Sequence, residues 1–185
     1  MKKKKEPWYI HVALYVVIAI LSFVLIKVAI IDPTEHIDTE NYNRTESHLR
    51  MENIRQAQIL WQKENEIFSD NLSNLVSFVK TDSLVNSLIT GVDTLTNRST
   101  NPFKILTDGS FTPDSLLRSP GSNSFYSLKI DTTTTIDPVI DRTGKLIKID
   151  TVTTIGDIYL LTCPDGYGTI GDLESPSLKN TASWD

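Results

Sequence analysis

Residues 8–31 read WYIHVALYVVIAILSFVLIKVAII, a run in which only His11 and Lys27 can carry charge. A helix rises about 1.5 Å per residue, so this run spans roughly 36 Å against a hydrocarbon core of about 30 Å. Trp8, Tyr9 and Tyr15 lie toward one end, where amphipathic rings favour the headgroup region. Lys27 stands a turn from the other end and can extend its ammonium to the interface. A cleaved signal peptide is the competing reading. Its apolar core is shorter, and Lys-Val-Ala-Ile-Ile-Asp-Pro offers no small-residue cleavage site. Residues 8–31 are therefore expected to be an uncleaved transmembrane helix, with the lipid bilayer as its partner.

Charge is distributed unevenly around that helix. Residues 1–31 hold five lysines and one glutamate, so of the chain's net −5 the remaining residues 32–185 carry −9. The basic tail 1–7 is expected to stay in the cytoplasm and residues 32–185 to lie in the periplasm, because positive flanks remain inside. That makes the chain a single-pass protein of a bacterial inner membrane. A −9 domain repels phosphate backbones, so no nucleic acid is expected as a partner. At 185 residues, 39% of them hydrophobic, the chain holds one small domain plus its anchor and excludes a multidomain enzyme.

Asp32-Pro33 either ends the anchor or places Pro33 in the first turn of a second helix. From about Thr45 the spacing predicts a helix, with Leu49, Ile54, Ala57, Trp61 and Ile67-Phe68 on its apolar side. Glu46, Arg50, Glu52, Arg55 and Gln56 fall between them, on the solvated side. Leu72, Leu75, Val76, Phe78 and Val79 form a second stripe with Asp70 as its cap; Thr81-Asp82-Ser83 interrupts it before a last turn. Residues 32–90 thus read as an extracytoplasmic helical segment. Residues 91–124, rich in Thr, Ser, Asn, Pro and Gly, read as a loop-rich segment.

Residues 125–185 change period. Tyr126, Leu128 and Ile130 alternate with Ser127, Lys129 and Asp131, the signature of a strand. Lys129–Ile136 (KIDTTTTI) and Lys148–Ile155 (KIDTVTTI) differ at one position and are joined by turn-rich residues, which predicts adjacent antiparallel strands. Ile158–Thr162 reads as a third strand. The expected fold class is α+β: a transmembrane helix, then a helix packed on a small antiparallel sheet, with a C-terminal tail.

Few residues suggest chemistry. Gly166-Tyr-Gly-Thr-Ile-Gly171 matches G-x-G-x-x-G, yet no helix can follow in the remaining residues, so it reads as a glycine-rich turn. His48 and Glu52 share a helix face, but two further metal ligands have no source. The acids at 131, 137, 141, 150 and 157 lack the D-x-D-x-D-G spacing of a calcium loop. No histidine follows residue 48, so no nucleophile has a base. The one cysteine, Cys163, forms no intramolecular disulfide; it either lies buried, pairs with another chain or carries a lipid. The chain is expected to be no enzyme and to need no cofactor or metal.

Asn53-Ile-Arg-Gln-Ala-Gln58, Trp61, Phe68 and Leu72-Ser-Asn-Leu75, placed after a membrane helix, resemble the start of a type II secretion pseudopilin. Ile54-Arg-x-Ala-Gln58, Phe78-Val-Lys-x-Asp-Ser83 and the ending Ile170-Gly-Asp-Leu173 through Asn180 to Ser183-Trp184-Asp185 are similar to a family of small membrane-anchored bacterial envelope proteins. The likeness covers about half the chain and leaves residues 85–125 aside. It implies a pilin-like fold and a non-catalytic structural or assembly subunit of an envelope or secretion machine. Other envelope or secretion-system proteins, and further copies of the chain, are the implied partners. Glu6-Pro7-Trp8 stands where a pseudopilin has its Gly-Phe processing site, and no acid lies within residues 8–31. Processing and filament growth therefore do not follow from the resemblance. The alternative is a membrane-tethered binding module for a periplasmic ligand.

Three aromatics are the candidate partner contacts: Trp61, Phe68 and Trp184. Trp61 is expected to be buried against the sheet. Trp184 is expected either to fold back onto the domain with Leu178 or to dock into a partner, aromatics being enriched at interfaces.

Overall fold

The computed structural model describes residues 8–185 and divides into a first unit ending at Tyr42 and a second, Asn43–Asp185. The basic tail, residues 1–7, lies outside the described residues. In the first unit, α1 (Trp8–Ile26) passes through a π-helical turn (Lys27–Ile31) into α2 (Asp32–Asn65), so the helix runs without a break. Pro33 has no N–H to donate, and its ring crowds the carbonyl four residues back. The π turn absorbs this: the Asp32 N–H reaches the Lys27 carbonyl, five residues back, and the wider turn makes room for the ring. Pro33 thus sits in the first turn of α2, and the second helix starts well before Thr45. Residues 32–44 have no apolar period of their own and are helical as a continuation of α1. No residue of α1 is buried by the chain, and this is the one helix among the described residues long and apolar enough to cross a membrane.

The second unit is built on the C-terminal half of α2. Met51, Ile54, Ala57 and Leu60 bury one side of it. α3 (Leu72–Thr81) and α4 (Ser83–Thr90) follow, contributing Leu72, Leu75, Val76, Val79 and Val85 to the same core. Asn71, not Asp70, caps α3 by accepting from the Ser73 N–H at 2.8 Å. Asp82 caps α4 through the Val85 N–H at 2.9 Å, which is why Thr81-Asp82-Ser83 breaks the helix.

The sheet has the order β1-β2-β3 and is antiparallel throughout. β1 (Ser127–Ile140) pairs with β2 (Leu146–Thr162), and the two near-identical octapeptides lie side by side, Thr132 opposite Ile155 and Ile136 opposite Thr151. Ile158–Thr162 is not a separate strand but the end of β2, continuous with the second octapeptide across a bulge. There Gly156 adopts φ +74°, its carbonyl accepts from the Phe68 N–H at 2.8 Å, and the Ile158 N–H donates to Asp131 at 3.0 Å. The third strand, β3 (Thr169–Gly171), comes from the glycine-rich stretch that the sequence presents as a turn. Tyr126, Tyr159, Leu161 and Ile170 complete the core against α2 and α3. Residues 91–124 carry short local structure only: two isolated bridges, Val92 with Ser99 and Arg118 with Phe125, and a 3-10 turn, Pro113–Leu116.

Candidate functional site

The buried side of α2 holds four polar residues, Glu46, Ser47, Asn53 and Gln58, each at most 1% exposed. Their roles are specific. The Asn53 carboxamide donates to the Lys104 carbonyl at 2.9 Å and accepts the Lys104 N–H at 2.7 Å. Gln58 does the same for Ser69, at 2.8 and 2.9 Å. Each amide thereby imitates a neighbouring strand for one residue of loop. Glu46 accepts from the Thr107 N–H at 3.0 Å and the Thr107 hydroxyl at 2.6 Å, and pairs with Arg50 at 2.8 Å. Burial pushes the Glu46 carboxyl up, but the bonds from Thr107 and Arg50 outweigh it and hold its pKa below the ordinary 4.5. Arg50 in turn donates to the Arg118 carbonyl at 2.8 Å. One helix face thus fastens the loop-rich segment at residues 104, 107 and 118.

Glu46 was expected on the solvated side; it is among the most buried residues of the helix. Ser47 meets the Tyr126 hydroxyl at 3.0 Å and the Cys163 thiol at 3.1 Å. Cys163 is 3% exposed, the buried placement among those its sequence left open. Burial raises the Tyr126 hydroxyl well above its usual range.

The C-terminal tail returns to the domain. The Gly171 N–H donates to the Thr181 carbonyl, the Ser183 N–H to the Thr169 carbonyl, and the Thr169 N–H to the Ser183 hydroxyl, each at 2.9 Å. Ala182 bridges to Ile170 and is buried. Trp184 stacks on His48, ring centroids 3.9 Å apart, while His48 Nε2 donates to the Tyr167 carbonyl at 2.8 Å. His48 is therefore engaged on its face and at one nitrogen. Leu178, expected as the second apolar contact, is exposed. The spacing of Gly168 and Gly171 follows from this arrangement. A Cβ at Gly168 (φ +129°) would meet the Trp184 ring at 2.7 Å, and one at Gly171 (φ +81°) would collide with the Tyr159 carbonyl.

The three candidate contact aromatics do not share a site. Phe68 is 1% exposed and tilts against Tyr159 at 4.7 Å, so it has no surface to offer a partner. Trp61 is half-buried, packs against the hydrophobic core and meets Phe78 of α3 edge-on at 5.3 Å. The Trp61 indole N–H is buried without a hydrogen-bond partner among the described residues.

Surface depressions are open and shallow. One of about 490 Å³ is lined by Asp131, Asp157, Glu174 and Lys179, and another of about 550 Å³ by Leu60, Lys63, Glu64 and Asp82. No group of metal-ligating side chains is placed to hold an ion among the described residues.

Exposed apolar side chains also lie elsewhere on the folded unit. Past the Gly156 bulge, β1 and β2 continue as a two-stranded ribbon carrying Ile147, Ile149 and Ile155 at 64, 58 and 48% exposure. Strand alternation sets these three on one face, the one that Tyr159 and Leu161 present to the core farther along β2. The repeat makes the pairing of the two strands legible in the sequence, but it does not mark Ile147, Ile149 and Ile155 as exposed, since Thr151 and Thr153 interrupt their alternation.

No family model matches the chain, and neither a curated protein nor a solved structure is significantly similar to it.

Proposed function

We propose that the chain is a non-catalytic structural or assembly subunit of a bacterial envelope or secretion machine, with a layout like that of a pseudopilin. Residues 8–31 hold it in the inner membrane, residues 1–7 face the cytoplasm, and residues 32–185 stand in the periplasm. The observation that carries this reading is the unbroken passage from apolar helix to core helix. The segment that ends in the folded unit as Met51, Ile54 and Ala57 begins as an apolar run with no residue buried among the described residues. A second observation favours assembly over ligand capture: the exposed isoleucines lie on a two-stranded ribbon, whereas the depressions are open rather than enclosed. Filament growth is not part of the proposal, since the processing site and the membrane-buried acid of pseudopilins have no counterpart here.

The test is purification of the tagged full chain from native membranes in mild detergent, followed by identification of what accompanies it. Stoichiometric recovery of envelope proteins, or of further copies, supports an assembly subunit. Recovery of a lone chain that binds a small envelope ligand supports the tethered binding module instead. Protease added to spheroplasts should digest residues 32–185; full protection means the orientation is inverted.

A further inference from the structure

We draw no further inference here: the strongest candidate, the exposed apolar end of the two-stranded ribbon of β1 and β2 at Ile140, Leu146, Ile147 and Ile149, carries nothing because nothing in the structure shows what covers it.

Discussion

Because a buried main-chain N–H or C=O left without a partner costs about 1–3 kcal/mol, the Gln58 carboxamide decides whether Ser69 can be buried at all. Gln58→Leu keeps the volume and strands both groups, so it should destabilise the full chain in detergent by about 2–4 kcal/mol. Gln56→Leu, on a half-buried position of the same helix, should change stability by less than about 0.5 kcal/mol. Thermal denaturation of the two variants side by side checks this. Glu46 adds a pH dependence whose sign follows from its depressed pKa. The ionised carboxylate stabilises the fold above pH 4.5, and that contribution fades as pH falls through the lower, folded-state value. Melting temperature should therefore drop on acidification below about pH 4.5, and Glu46→Gln should flatten that part of the curve. At this scale the sequence is only partly legible. Apolar spacing finds Ile54 and Ala57. Glu46, Asn53 and Gln58 pass for a solvated face, because spacing says nothing of which loop will come to meet them.

Among the elements, the G-x-G-x-x-G stretch shows how a motif can be literal and mean something else. Its third glycine is required by a carbonyl, not by a phosphate. Gly171→Ala must both adopt φ +81° and displace the Tyr159 carbonyl, whereas Gly144→Ala, at φ +83°, meets nothing within 4 Å. The second should cost about 1–2 kcal/mol, the penalty of a left-handed residue, and the first distinctly more. Chemical denaturation of both variants separates backbone strain from contact. The tail makes a similar argument: deleting Ala182–Asp185 removes the bridge to Ile170 and the Trp184 stack on His48. It should lower the melting temperature by several degrees, and an unchanged value would show that Trp184 acts outside the domain. The helical and strand periods of α3 and β1 are plain in the sequence, as is the pairing of the two octapeptides. Three boundaries are not. Asp32–Arg44 is helical because α1 precedes it, β2 passes through a bulge that reads as a break, and β3 forms because Leu160 to Thr162 of β2 and the tail lie on either side of it.

At the scale of the whole molecule, an apolar helix with no residue buried among the described residues precedes a folded unit that carries exposed isoleucines on a two-stranded ribbon. A helix long and apolar enough to cross a membrane is legible from residues 8–31 alone, since length and lack of charge are enough. The proposed assembly role is not, because partners leave no period in a sequence, and the exposure of isoleucines 147, 149 and 155 emerges only in the fold. The account's central claim is that this is a membrane-held subunit with protein neighbours. It is tested most directly by chemical cross-linking in intact cells, followed by carbonate washing of the membranes and detection of the tagged chain. The account predicts that the chain stays in the washed membrane pellet and moves into discrete covalent species of higher mass. A chain released by carbonate, or one that pellets wholly as a monomer, would contradict it.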